Sequence, residues 1–411
     1  MRLIILTQYY PPETGAPQLR LSDLSKRFQK MGVEVIVHTA LPNYPSMKVH
    51  EGYSRKWYVQ EEVDGIKIQR SWIFVKQQMS FFVRLLSYFS FVFSSLINGL
   101  FRLPKSDFLL CESPPLFLGI SAYLLSRFKG ATLIFNVSDL WPESAEKLGL
   151  VEKGFALRLS YKLERFLYKK SALVTGQTQG IVNNISDRFP EKRVFWFPNG
   201  VSPEIFESQT YENDWRGKNG FTQNDFIVFY GGVIGYAQGL DVVLDAAKEL
   251  TEYSNRRVKF CLVGNGPEKK RLVERKQNET VENVHFFDSM PRNELLNFLK
   301  NSDTCIVPLK RLELFKGAIP SKIFEACASE KPILLGVEGE ARELFINQAT
   351  AGLFYEPESS NQLVENIKYL IDNPTLSQQM GENGRRFVLE KFNRERIAEN
   401  IFQELKYLLE V

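Results

Sequence analysis

Short apolar runs recur along the chain, each followed by a polar loop and then a stretch with helical spacing of its apolar residues. Residues 2–7 form the first run and read as a buried strand. Residues 17–31 place Leu19, Leu24 and Phe28 on one helical face, and Gly32 ends that helix. Residues 33–38 form a second apolar run. Strand, loop, helix and strand in this order open a doubly wound α/β domain. Further strands are predicted at 107–111, 132–136, 173–175 and 194–197, and residues 57–70 read as a hairpin turning at Asp64-Gly65. A polar stretch reaching Asn224 then separates this series from a second one. The second begins at Phe226–Tyr230 and continues at 259–263, 284–287, 304–309, 333–335 and 352–355. The last helix, from about Asn393, repeats apolar positions at Ile397, Ile401, Leu405 and Leu408. The pattern divides the chain into a domain over 1–200, a second over 201–390 and a terminal helix over 391–411.

One stretch departs from this rhythm. Between Arg84 and Arg102 no residue is charged, and residues 78–102 are predominantly Phe, Leu, Val and Ser. Arg84, Ser87, Ser94, Ser95, Asn98 and Arg102 fall roughly on one helical stripe, with Phe and Leu over the rest. The stretch reads as an amphipathic helix that docks on a bilayer, with its end arginines at head groups or phosphates. A helix buried between the sheet and its neighbours fits the same pattern.

Composition narrows the field. The 411 residues are 44% hydrophobic and 24% charged, which suits two globular domains. A net charge of +4 is too small to imply general nucleic-acid binding. Cys111, Cys261, Cys305 and Cys327 lie far apart in apolar runs and read as buried thiols of a reducing compartment. The opening run breaks at Pro11, too short for a secretory signal, so a cytoplasmic location is expected.

Candidate chemistry gathers in the loops after the strands. PSKIFEACASEKPI, residues 320–333, predicts a helix with Ser321 and Lys322 in its first turn and Glu325 on the same side. Backbone N–H groups and Lys322 suit a phosphate there, and Glu325 suits a ribose diol. An ordinary buried helix with two surface charges is the plain alternative. Gly231, Gly232, Gly235 and Gly239 form a loop able to approach a diphosphate. The first strand is followed by Gly15 without G-x-G-x-x-G, which argues against a nicotinamide or flavin enzyme. Gly15 lets backbone approach a ligand, or merely turns the chain into its helix. Asp139 and Glu143 lie on the loop after strand 132–136. A carboxylate there can orient a hydroxyl and take its proton; it can equally cap a turn, with Glu143 entering a helix start.

Four phrases together, YYPPETGAPQLR, PNYPSMK, DLWPES and PSKIFEACASEKPI, resemble glycosyltransferase family 4. They are most similar to its branch of bacterial O-antigen and capsule amino-sugar transferases of the fucosamine type. The resemblance covers nearly the whole chain. It implies a GT-B fold, two doubly wound Rossmann-like domains facing across a cleft, with the last helix crossing back to the first domain. It implies a retaining transferase that moves a sugar, expected to be an N-acetylated amino sugar, from a UDP-sugar to a polyprenyl-diphosphate-linked saccharide at the inner membrane. The resemblance further implies other polysaccharide-assembly enzymes as partners; no cofactor is expected, and with no D-x-D nothing in the sequence calls for a metal. By the same resemblance the base lies near Gly264 and near Phe287, Asp288 and Met290, which also fit plain loop and core.

The chain departs from the family in four places. Glu330 stands where Gly is usual. No His occurs near Asp139. The acid usual eight positions before Glu325 is Gly317, where backbone N–H groups of Gly317 and Ala318 could substitute. Tyr236, Ala237 and Gln238 replace a basic pair, which leaves Lys322 as the first phosphate cation and Arg311 or Lys316 as the second. A nucleotide-sugar epimerase and a non-catalytic nucleotide-sugar-binding partner remain as alternatives.

Overall fold

The computed structural model describes residues 1–410 except 14, 45, 78–80, 150, 152 and 205–213. The start of the predicted docking helix and much of the polar stretch before Asn224 therefore lie outside the described residues. The chain separates into two compact units, residues 1–199 with 394–411, and residues 200–393.

The first unit is built on an eight-stranded sheet. Its strands are β1 (Arg2–Leu6), β2 (Glu34–Ala40), β3 (Tyr58–Val63), β4 (Ile66–Ser71), β5 (Phe108–Ser113), β6 (Thr132–Val137), β7 (Leu173–Gly176) and β8 (Val194–Trp196). Their order is β3-β4-β2-β1-β5-β6-β7-β8, parallel except for β3. The central strands are apolar along their whole length because helices cover both faces; Leu3 to Leu6 are fully buried. β3 and β4 form the predicted hairpin. Asp64 and Gly65 both have positive φ, 53° and 78°, as a two-residue turn matched to strand twist requires.

One face of this sheet is covered by α1 (Ala16–Lys30) and the terminal helix α13 (Arg394–Glu410), whose Ile397, Ile401 and Leu405 pack with Leu21, Leu24 and Phe28. The other face carries α2 (Phe81–Arg102), α3 (Leu118–Lys129) and α5 (Phe155–Lys170). The short α4 (Glu143–Lys147) and α6 (Gln179–Arg188) complete the unit.

α2 turns its polar stripe inward. Ser87, Ser94, Ser95 and Asn98 are buried. Asn98 Nδ2 donates to Ser71 Oγ at 3.0 Å, Ser121 Oγ to the Val92 carbonyl at 2.6 Å, and the His38 ring Nε2 lies 3.1 Å from the Ser95 carbonyl. Burial lowers the His38 pKa to about 4, which keeps the ring neutral beneath the helix. The outward side of α2 exposes Phe82, Leu86, Phe89, Phe93 and Phe101, while Phe91 and Val92 are buried on the inner side with the serines. Arg84 and Arg102 are exposed and do not follow the buried serines.

The second unit holds β9 (Asp225–Gly231), β10 (Glu252–Tyr253), β11 (Arg256–Val263), β12 (Val284–Phe287), β13 (Thr304–Pro308), β14 (Ile333–Gly336) and β15 (Gly352–Phe354). Their order is β10-β11-β9-β13-β14-β15, with β12 also paired to β11. Helices α7 (Asp241–Glu249), α8 (Lys269–Asn278), α9 (Arg292–Asn301), α10 (Lys322–Ala328), α11 (Ser360–Asp372) and α12 (Pro374–Lys391) surround it. Both units are doubly wound α/β sheets, as the apolar rhythm predicts.

Candidate functional site

Each sheet has a strand from which its neighbours extend in both directions, and ligands of doubly wound sheets sit beyond the carboxyl ends of such strands. In the second unit that strand is β9, flanked by β11 and β13. Two loops meet there, 231–239 after β9 and 309–318 after β13. The Lys310 N–H donates to the Ala237 carbonyl at 2.9 Å and joins them.

The glycine loop is held from behind by the loop after β11. Gly264 and Gly266 have φ of +149° and +159°, and a Cβ on either would run into the carbonyl oxygens of Gly232 and Ile234. Glycine is needed at both because two backbones lie against each other. Ile234 N–H completes the contact by donating to the Asn265 carbonyl at 3.0 Å. Gly235 is different. Its φ is −123°, open to any residue, and a Cβ there would press only on the flexible Gln238 side chain. Gln238 ends a single tight turn whose N–H bonds the Gly235 carbonyl at 3.2 Å.

Two lysines flank this loop. Lys322 Nζ lies 3.7 Å from the ring centroid of Tyr230, and a Cβ on Gly232 would sit 3.5 Å from it. Lys310 Nζ lies 3.4 Å from the ring centroid of Tyr236. An aromatic face attracts a cation without neutralising it. Among the described residues neither ammonium has a carboxylate within ion-pair distance. Lys322 keeps part of its surface in solvent, yet desolvation of the ammonium lowers its pKa to about 7, partly offset by Cys305 and Glu325. The other expected cations are already engaged. Arg311 pairs with Glu356, and its backbone N–H donates to Glu358 at 3.0 Å. Lys316 Nζ sits 2.8 Å from Glu313 and 3.9 Å from Glu338. Lys310, one position before Arg311, is not engaged in this way among the described residues.

Three further expectations change. Ala318 cannot offer its N–H in place of the missing acid, because it donates to the Phe315 carbonyl at 3.0 Å; Gly317 closes the single turn Glu313–Gly317 just before it. Glu325 already accepts a bond from Arg292 Nη2 at 2.9 Å. Phe287 turns its ring into the core, 5.0 Å from Phe298, which also meets Trp215 and Phe229. Its carbonyl, with Gly264 O and Asp288, is tied by Lys269 Nζ at 2.8–2.9 Å, a clamp between the loops after β11 and β12. Met290 is half-exposed just beyond. Ser321 is exposed at the start of α10, and its side chain makes no capping bond.

In the first unit the corresponding strand is β1, between β2 and β5. Beyond it lies a buried polar network. Both oxygens of Glu112 accept from Arg20 Nη2, at 2.7 and 2.6 Å, and Asn136 Nδ2 donates to Oε2 at 2.6 Å. Ser138 also donates to Glu112, and Thr175 Oγ1 donates to Asn136 Oδ1 at 2.6 Å. Four elements, α1, β5, β6 and β7, are thereby locked together beneath the loop that carries Asp139.

Asp139 is half-buried beside that network. Burial raises its pKa above the usual carboxylate range, against the bonds from Ser144 and the Leu140 N–H. Ser144 Oγ donates to Oδ2 at 2.9 Å. Glu143 is spoken for: it opens α4, where the helix dipole favours an acid, and Lys147 Nζ lies 2.6 Å from its carboxylate. Gly15 is the N-cap of α1 in extended backbone, and its carbonyl accepts the Leu19 N–H at 3.1 Å. The loop before it is pinned by Glu13, which accepts N–H bonds from Tyr10, Asn43 and Tyr44 at 2.8–3.2 Å.

Comparison with known proteins agrees with this layout. Residues 15–200 match the glycosyl transferase 4-like domain, and residues 212–387 match the family glycosyl transferases group 1. The chain is 27% identical over 380 residues to WcaI of Escherichia coli (strain K12), named as a colanic acid biosynthesis glycosyl transferase, covering 90% of this chain and 91% of that one. Among solved structures it is similar to sucrose-phosphate synthase from Thermosynechococcus elongatus, with a TM-score of 0.76 at 15% identity over 99% of both chains. It is also similar to Anabaena HepE in complex with UDP and glucose, with a TM-score of 0.73 at 17% identity over 99% of this chain and 100% of that one. The two structural likenesses establish the GT-B fold. The chain is a two-domain glycosyltransferase, a glycosyl transferase 4-like domain followed by a glycosyl transferases group 1 domain.

Proposed function

We propose that the chain is a retaining transferase that moves a sugar from a UDP-sugar to a polyprenyl-diphosphate-linked saccharide during surface polysaccharide assembly of the O-antigen or capsule kind. The observation that carries this reading is the pair of uncompensated lysines, Lys322 and Lys310, at the two ends of one glycine loop. Departure of a nucleoside diphosphate builds negative charge on its oxygens, and fixed cations and N–H groups stabilise that charge in the transition state. Lys322, with a pKa near 7, takes its proton fully when a diphosphate arrives. Glu325 exchanges its bond to Arg292 for a ribose diol. Asp139, less acidic than an ordinary carboxylate, orients the acceptor hydroxyl and receives its proton.

Uridine is supported by HepE, whose structure holds UDP, and polysaccharide assembly by WcaI, named for colanic acid biosynthesis. The amino-sugar donor rests on the amino-terminal phrases alone. The exposed apolar face of α2 supports docking on the cytoplasmic side of the inner membrane, where a polyprenyl-linked acceptor resides.

The test is nucleotide release from uridine, guanosine and adenosine diphosphate sugars, with and without a polyprenyl-linked acceptor extract and with a chelator present. Release of UDP that depends on the extract is expected. UDP-sugar binding without release would favour the non-catalytic partner, a reading that the engaged Ala318 N–H keeps open. A changed sugar with no nucleotide released would favour the epimerase.

A further inference from the structure

α2, α3 and α5 lie side by side on one face of the first sheet, and their outward sides are unusual in two ways. The first is apolar exposure. On α2, Phe82, Leu86, Phe89 and Phe93 form an exposed stripe at helical spacing, and Phe101 is 84% exposed. α3 adds Phe128; α5 adds Phe155, 80% exposed, with Leu159 and Phe166. The second is charge. The three helices contain a single acid, Glu164, which is buried and paired with Arg188. Against it stand two cations on α2, two on α3 and five on α5. On α5 the exposed Arg158, Lys162, Arg165 and Lys169 interleave with the exposed apolar residues, and among the described residues none of the four has a carboxylate partner.

We propose that this three-helix face docks on an anionic bilayer, with the α2 stripe entering the acyl boundary and the α5 cations holding lipid phosphates. The inference deepens the docking reading of α2: it names a second element, α5, and a lipid class. Aromatic residues interleaved with uncompensated basic residues suit the boundary between head groups and acyl chains. Anionic lipids supply the charge that the helices lack. A spanning arrangement does not fit, since α2 would carry its buried Ser94, Ser95 and Asn98 into hydrocarbon. The face also leads to the candidate chemistry. Phe89 lies 4.7 Å from Phe117, and Phe117 lies 5.1 Å from Trp141, two positions after Asp139. A lipid tail following these rings delivers its head-linked sugar to the Asp139 loop.

The experiment is co-sedimentation of the full chain with vesicles of phosphatidylcholine, alone or mixed with phosphatidylglycerol, at low and high salt and without donor or acceptor. Binding to the mixed vesicles, weakened by salt, is expected. The triple variant Arg158→Ser, Lys162→Ser, Arg165→Ser loses affinity on the order of 100-fold, at about fivefold per basic residue. Phe82→Ser with Phe93→Ser also releases the protein. All five side chains are exposed, so the thermal midpoint stays in place; should the Phe pair lower it, the α5 variant decides alone. Equal binding to neutral vesicles, or no change in the triple variant, overturns the proposal. So does self-association that Phe93→Ser abolishes while vesicles bind nothing, which would give the face to a second copy. Because no sugar is present, a chain that binds vesicles and transfers nothing would sink the transferase reading and leave this one standing.

Discussion

At the turning point of the first sheet the chain places a buried pair, Arg20 and Glu112, bonded to side chains from neighbouring strands. At that of the second it places two lysines on tyrosine rings with no carboxylate in reach among the described residues. The same topology thus ends in a closed polar network in one unit and in an unfinished one in the other. A closed network fixes geometry, here that of the Ser138–Asp139 loop. An unfinished one has charge left over for a ligand, and the positive sign specifies an anion. Under the proposed function the two units do different work: the second holds the donor diphosphate and the first activates the acceptor.

Four substitutions probe that division, the largest expected effect first. Asp139→Asn lowers turnover roughly 10²- to 10⁴-fold, the usual range for a lost proton acceptor, with UDP affinity unchanged. Steady-state kinetics with calorimetry separate the two, and near-normal turnover would remove Asp139 from the mechanism. Lys322→Met lowers turnover roughly 10²- to 10³-fold and weakens UDP as well. The sign with pH follows from the depressed pKa near 7. The free ammonium is charged below that value and neutral above it, so wild-type UDP affinity falls as pH rises past about 7, and the variant shows no such fall. A flat wild-type profile would take Lys322 off the diphosphate. Arg20→Met leaves Glu112 buried without its partner and costs roughly 3–5 kcal/mol of stability, read as a lower thermal midpoint. An unchanged midpoint would mean that the first network is no lock. Lys310→Met weakens UDP by about tenfold, the value of one partly exposed cation on an anion. No change there would return the second cation to Arg311 or Lys316.

Much of the fold was legible because the signals are local. Continuous apolar runs mark strands covered on both faces, and Asp64-Gly65 marks a hairpin on its own. The glycine loop and the Ser321–Glu325 turn, which carry the proposed phosphate site, are local signals of the same kind. α2 was half legible. Its serines and phenylalanines segregate plainly by spacing, but which side faces inward depends on Ser71, Ser121 and His38, on other elements. What the sequence hid is contact between distant residues. Arg20 and Glu112 are 92 positions apart, and Arg292 and Glu325 are 33. Lys310 and Arg311 are adjacent cations, and spacing cannot rank them; Glu356 and Glu358, far along the chain, decide by engaging Arg311. The Ala318 N–H looked available because a single turn at Glu313–Gly317 leaves no strong mark in composition.

The measurement that tests the division most directly is UDP titration calorimetry on the wild-type chain, Asp139→Asn and Lys322→Met side by side at neutral pH. If the two units divide the work in this way, wild type and Asp139→Asn bind UDP with the same affinity and Lys322→Met binds it far more weakly. Equal binding by all three, or loss of binding in Asp139→Asn alone, would contradict the division.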